Sequence, residues 1–234
     1  MKAPLVKLCG LRTVADVTAA CEAGADAVGF VLCASPRRVV RAELVGLLDA
    51  VPPGVLRVAV MGPPEPALVA LANSLPFDVL QCEVGDAPTP RVGERRSLLP
   101  VFRDGADVET RVARYFALAP DLRDTSSRAH ALDGALVLDG PLGGGRGVGV
   151  DVARAARLAA RHPLVLAGGL TPENVGERVR GVRPLAVDVS SGIERTRGQK
   201  DARRMRAFAD AARSSLSDSA ALGSAATPIP GELP

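Results

Sequence analysis

The chain has 234 residues, a formal net charge of +3 and 47% hydrophobic residues, which suffices for one larger domain or two small ones with a substantial core. Aromatics make up 3% and Trp is absent, so that core must be aliphatic, and the scattered arginines with few rings for base stacking argue against nucleic-acid binding. The N-terminus lacks the apolar centre of a signal peptide, and no apolar run reaches the roughly 18 residues of a membrane span.

The cysteines are Cys9, Cys21, Cys33 and Cys82. They form no CxxC pair, and His130 and His162 stand at no ligand spacing from them, so neither a metal site nor a disulfide framework is expected. The expectation is a soluble cytoplasmic protein with reduced thiols.

Taken in order, Leu5–Cys9 reads as a first strand and Thr13–Ala23 as a helix, with Val14, Val17, Ala20 and Cys21 at helical spacing. Ala27–Leu32 is the second strand, and a polar Ser35-Pro36-Arg37-Arg38 loop follows it. Arg41–Ala50 reads as a helix, Leu56–Met61 as the third strand, Glu65–Ser74 as a helix and Asp78–Gln81 as the fourth strand. Ala87–Arg96 holds two prolines and a glycine and predicts a short or irregular helix. Leu98–Phe102 is the fifth strand and Asp107–Leu118 a helix, while the polar Pro120–Ala131 reads as a mobile insertion. Ala135–Asp139 is the sixth strand, followed by a glycine-rich loop, Gly140–Gly149, and a helix over Asp151–Ala160. Leu164–Ala167 and Leu185–Val189 are the seventh and eighth strands, and Asp201–Ser214 is the last helix. Between those two strands a helix is expected to start with Thr171 as cap and Pro172 at its first position. Residues 215–234 are small, polar and rich in Pro and Gly, and read as a disordered tail on a domain of residues 1–214.

Strands alternating with helices imply an α/β fold with a parallel sheet. The alternation alone does not separate a closed (β/α)₈ barrel from an open sheet. The last two strands end in Gly168-Gly169 and Ser190-Ser191-Gly192, small residues whose backbone N–H groups can approach an anion. In a (β/α)₈ barrel these are the two loops that commonly bind phosphate.

Residues at the carboxyl ends of barrel strands face the active site, which selects Cys9, Cys33, Gln81, Cys82, Asp139 and Asp188, with Arg37 on the second loop. Cys9 and Asp139 form the natural base and acid pair for cofactor-free proton transfer on a sugar. Each has a plainer reading. A cysteine in an apolar run is also a small buried hydrophobe, Asp139 before a glycine could start a turn, and Arg37 could be a solvated charge. Asp188 interrupts an apolar strand, and a buried carboxylate needs a ligand hydroxyl or a nearby N–H. Cys21 falls on a helix face and reads as core, and Cys33 and Cys82 fit packing better than catalysis.

Five segments carry a specific resemblance: Val6–Leu11, Ala23–Val31, Ser35–Arg37, Ala167–Val175 and Val187–Glu194. Over roughly residues 5–210 the chain resembles the phosphoribosylanthranilate isomerases of tryptophan biosynthesis. That resemblance implies a closed (β/α)₈ barrel, an Amadori rearrangement of a phosphosugar amine, no cofactor, and a monomer or homodimer. It implies Cys9 as the base at ribose C2′ and Asp139 as the acid that opens the furanose. Arg37 would meet the anthranilate carboxylate and Asp188 the sugar, while Gly145, Gly147, Gly168, Gly169, Ser190, Ser191 and Gly192 would hold the phosphate. Three loops depart from the family's pattern: Val60-Met61-Gly62-Pro63 after the third strand, Gln81-Cys82-Glu83-Val84 without the family's histidine after the fourth, and a glycine-rich loop without its lysine, phenylalanine and tryptophan. These departures leave room for a relative acting on another phosphosugar amine, or for a phosphate-ligand binder without activity.

Overall fold

The computed structural model describes residues 3–84, 97–118, 130–132, 134–142 and 149–215. Eight parallel strands close into a barrel in chain order, each hydrogen-bonded to the next and the last to the first. They are β1 (Leu5–Cys9), β2 (Ala27–Val31), β3 (Leu56–Val60), β4 (Val79–Glu83), β5 (Ser97–Arg103), β6 (Leu136–Asp139), β7 (Leu164–Leu166) and β8 (Ala186–Val189). The described helices are α1 (Val14–Glu22), α2 (Arg41–Asp49), α3 (Pro66–Asn73), α4 (Val108–Leu118), α5 (Val152–Ala159), α6 (Val175–Val182) and α7 (Ala202–Ser214). The closed α/β barrel expected from the sequence is therefore what forms.

Alternation along the strands divides the core in two. One face of the strands, with Val6, Leu8, Val28, Phe30, Leu136, Leu138 and Leu166, packs outward against the helices. The other face fills the barrel with smaller side chains, among them Ala27, Val58, Val79, Leu99, Val137, Val165 and Ala186. A narrow interior suits an aliphatic composition and has no place for Trp. At the carboxyl end the inward positions turn polar: Lys7, Cys9, Gln81, Glu83, Arg103, Asp139 and Asp188.

Helix starts follow capping chemistry. Thr13 accepts from the Asp16 backbone N–H while the Asp16 carboxylate takes the Thr13 N–H, a reciprocal pair of capping bonds before α1. Asp151 and Asp201 cap α5 and α7 with the side-chain half of that arrangement alone, each carboxylate accepting from backbone N–H groups of the first turn. The expected cap at Thr171 is corrected. The α6 helix begins at Val175, and Asn174 is the residue whose side chain fixes the preceding turn, accepting from the Thr171 N–H at 2.9 Å and donating to the Gly169 carbonyl at 2.9 Å. The amide carries its acceptor and its donor on separate atoms, so one side chain spans both groups.

A two-stranded hairpin, β9 (Glu194–Thr196) and β10 (Gln199–Lys200), was not anticipated from the sequence. Its signal is Arg197-Gly198, with Gly198 at φ +81°, the positive φ that glycine supplies at the second position of a tight turn. Ser215, the first residue assigned to the tail, is buried and donates to the Ala212 carbonyl, so α7 is sealed one residue later than expected. The helix expected at Ala87–Arg96, most of the Pro120–Ala131 insertion, Gly145, Gly147 and residues 216–234 lie outside the described residues. No helix among the described residues is long and apolar enough to cross a membrane.

Candidate active site

Cys9 ends β1, Asp139 ends β6 and Asp188 sits in β8, so the carboxyl end of the sheet brings three distant stretches of sequence to one place. They line a cavity of about 580 Å³ together with Arg37 from the loop after β2. Gly168 and Gly169 after β7, and Ser190 and Ser191 after β8, form its far wall. Of the described candidates Gly192 and Cys82 lie outside the lining. A Cβ on Gly192 would fall on the Leu170 carbonyl, so this glycine serves close packing of the last two loops.

Cys9 is nearly enclosed, and burial pushes its thiol above the ordinary value, opposed by the positive charges of Lys7 and Lys200. Asp139 is likewise raised. Burial is the main cause and the Asp188 charge adds to it, while Arg103 and the Gly140 N–H work against it. The Asp139 Oδ1 accepts from the Gly140 N–H at 2.7 Å, and its Oδ2 pairs with Arg103, its neighbour in register on β5. Gly168, at φ +80°, lies so close that a Cβ would strike the Gly140 backbone and come within 3.1 Å of Asp139 Oδ1. A carboxyl held this way, shifted toward its neutral form and facing a cavity, can deliver a proton.

Arg37 is buried, 4% exposed. Its guanidinium grips Glu194 through Nε–Oε1 at 2.6 Å and Nη2–Oε2 at 2.8 Å, the two-pronged geometry that suits arginine. Lys200 reaches the same carboxylate at 3.0 Å and also donates to the Ser190 carbonyl at 2.8 Å. Burial alone would raise the Glu194 carboxyl, but Arg37 and Lys200 bring it below the usual range. The small hairpin thus ties the loop after β2 to the loop after β8. The buried Asp188 carboxylate finds its partner in Lys7, at 2.8 Å.

Sequence reasoning missed Lys7, Arg103, Glu194 and Lys200. For Lys7 a signal existed: it interrupts an apolar strand two residues before Cys9, just as Asp188 interrupts β8. Cys82 points away from the cavity into the outer core, and burial takes its thiol to about 12. Cys21 packs against the same core from α1, as its helical spacing implied. Cys33 and Gln81 do line the cavity.

A closed (β/α)₈ barrel with a thiol, a carboxyl and buried cations gathered at its carboxyl end defines a class: a barrel enzyme equipped for proton transfer on a small anionic molecule. Residues 6–211 match the family described as N-(5'phosphoribosyl)anthranilate (PRA) isomerase, and the chain belongs to that family. It is similar to the N-(5'-phosphoribosyl)anthranilate isomerase of Pseudomonas aeruginosa (strain LESB58), 39% identical over 222 residues that cover 93% of this chain and 99% of that protein. Its fold is similar to the phosphoribosyl anthranilate isomerase of Thermus thermophilus, with a TM-score of 0.74, 31% identity and coverage of 88% of this chain and 97% of that one. It is also similar to a phosphoribosyl anthranilate isomerase solved in complex with reduced 1-(o-carboxyphenylamino)-1-deoxyribulose 5-phosphate, with a TM-score of 0.72, 29% identity and coverage of 89% and 98%.

Proposed function

We propose that the protein converts N-(5'-phosphoribosyl)anthranilate to 1-(o-carboxyphenylamino)-1-deoxyribulose 5-phosphate, with Cys9 and Asp139 as the catalytic pair. Asp139 protonates the ring oxygen as the C1′–O bond breaks, which leaves a C1′=N iminium. The Cys9 thiolate takes the proton from C2′, and the electron pair moves to form an enolamine. Protonation at C1′, with loss of the proton from the C2′ hydroxyl, then gives the amino ketose. C2′ is oxidised and C1′ reduced within one molecule, so the step is an aldose–ketose isomerisation that calls for no external redox partner.

Asp188, with Oδ1 buried and unpartnered among the described residues, suits a sugar hydroxyl. The N–H groups around Gly168-Gly169 and Ser190-Ser191 suit the phosphate, with Gly145 and Gly147 assigned to it by resemblance alone. Arg37 spends Nε and Nη2 on Glu194 and keeps its remaining edge for the anthranilate carboxylate. A step of amino-acid biosynthesis fits a cytoplasmic enzyme.

The observation that carries this reading is the placement of Cys9 and Asp139 at the ends of β1 and β6 around one cavity. The test is turnover of freshly made phosphoribosylanthranilate, followed by its fluorescence, beside a Cys9→Ala control. Turnover that the control abolishes is expected. Wild-type protein that binds a phosphorylated sugar analogue but does not turn over would leave a binder or an enzyme with a different substrate.

A further inference from the structure

Lys7 and Cys9 lie two residues apart on β1 and therefore point to the same side, into the barrel. Lys7 is 2% exposed, and an ammonium is buried at heavy cost unless it is paired. One partner is Asp188, opposite it in register on β8, with Nζ–Oδ2 at 2.8 Å. The second neighbour is the thiol. Gly29 pairs with Cys9 in register on β2, and a Cβ built on it would lie 2.7 Å from Cys9 Sγ and 3.2 Å from Lys7 Nζ. Sulfur and ammonium thus share the space over a residue that has no side chain.

A lysine–aspartate pair in a barrel could be packing alone, but that is a poor use of two buried charges, since apolar residues of similar volume serve stability as well or better. The pair is also not closed on itself. Asp188 commits one oxygen to Lys7 and keeps Oδ1 buried without a partner among the described residues, at a site that lines the cavity. An ammonium has three donors, so a Lys7 proton is free to point at the sulfur.

We propose that Lys7 is a positioning residue for the rearrangement: locked by Asp188, its ammonium holds the Cys9 sulfur over Gly29 and stabilises the thiolate that accepts the C2′ proton. Lys7 remains charged before and after the transfer; only the sulfur gains a proton. The charged groups facing the sulfur are Lys7 on β1, Asp188 on β8, Lys200 on β10 and Arg37 after β2. Burial disfavours the thiolate and Asp188 adds to that, while Lys7 is the foremost opposing influence and Lys200 assists it. Burial also presses Lys7 toward neutrality, but Asp188 and Cys9 together outweigh it and its pKa is raised.

The inference rests on Cys9 being the base, so its test reads the sulfur directly as well as the reaction. Alkylation of Cys9 by iodoacetamide is followed against pH, with the modified peptide identified by mass spectrometry to separate it from Cys33. Two variants are compared with wild type. Lys7→Met removes the ammonium, and Lys7→Met with Asp188→Asn removes both charges, so a folded protein is available if the single change leaves Asp188 unsupported. In Lys7→Met the alkylation midpoint is expected to move up by about one unit, a tenfold loss of thiolate below the midpoint, and in the double variant to move up by less, because the Asp188 charge that disfavours the thiolate is removed as well. The Lys7→Met change is expected to lower kcat at least as much, with KM changed less. A Cys9 midpoint that stays at the wild-type value in either folded variant overturns the inference. Absence of turnover in the wild-type protein is a separate result that strikes the isomerase reading itself.

Discussion

Arg37 and Glu194 face each other side by side, with both carboxylate oxygens within 2.8 Å of guanidinium nitrogens and both side chains 5% exposed. They come from opposite ends of the chain, 157 residues apart. A buried guanidinium with a fixed counter-ion cannot swing, so Arg37 presents one set edge to the cavity. Lys200 shares the carboxylate, which makes Glu194 the single negative charge between two buried cations.

Removing that charge is expected to be costly. In Glu194→Gln, Arg37 and Lys200 lose their counter-ion while still buried, and breaking such a pair typically costs about 3–5 kcal/mol. A loss at the lower end of that range should appear in urea unfolding. KM for the substrate should rise about tenfold, which corresponds to roughly 1.4 kcal/mol of lost binding. Unchanged stability and KM would show that Arg37 is held by its surroundings rather than by Glu194.

The Asp139→Asn change tests the acid. Both members of the pair are raised, the carboxyl by burial and Asp188, the thiol mainly by burial. The active form, with Asp139 protonated and Cys9 ionised, is a singly protonated state of the pair, so kcat/KM should trace a bell. It rises as the doubly protonated pair loses one proton and falls as the last proton leaves. Without the carboxyl, kcat should drop by about 10²–10⁴. The residual activity should climb with Cys9 ionisation and show no alkaline fall. A bell that survives in the variant would move the acid to another group.

Much of this architecture is legible in one dimension, and what is hidden has a physical cause. Short apolar runs ending in Gly or Ser mark the strands because each is covered on both faces and each hands a loop to the same end. Strand β4 runs on to Glu83 and β5 to Arg103 because those charged residues face the cavity, where burial does not forbid them. The partnerships of the site are another matter. Lys7 meets Asp188 across 181 residues, a contact created only when the last strand closes on the first. Thr171 looked like a helix cap because its residue type fits; Asn174 displaced it because its amide can satisfy both the turn and the Gly169 carbonyl.

Asp104 gives a stability prediction. It lies just after β5, is 7% exposed, and accepts from the Asp151 N–H at 2.7 Å and from Arg154 Nε at 2.8 Å. Burial would raise its carboxyl, but the Arg154 and Asp151 bonds win and its pKa is lowered. The unfolded chain therefore takes up the proton at higher pH than the fold does. The stability from Asp104 is fully present above the ordinary aspartate value, near 3.8, and drains away as pH falls through the lower folded value. Asp104→Asn should lower stability at pH 7 by about 1–3 kcal/mol. It should also flatten the decline between pH 5 and 3 seen by urea titration. Equal slopes for both proteins would show that other carboxylates govern acid unfolding.

Gly29 is the most economical probe of the site, since one carbon is added and no charge is touched. Its backbone needs no positive φ, so Ala is permitted by conformation and excluded only by space. The added Cβ would meet Cys9 Sγ at 2.7 Å, Lys7 Nζ at 3.2 Å and the Cys9 Cα at 3.3 Å. The first two can yield by rotating away; the third is backbone of the neighbouring strand and yields little. Overpacking of this kind costs about 1–3 kcal/mol, which the barrel can bear. The sulfur, however, would be driven off its position beside Lys7, and a displacement of about 1 Å at a reacting group can cost a hundredfold. Gly29→Ala is therefore expected to fold, to bind a phosphorylated product analogue with near wild-type affinity, and to lose about two orders of magnitude in kcat. Near-normal kcat in the folded variant would show that the thiol has room to work elsewhere in the cavity, and that its contact with Lys7 is not what makes it a base.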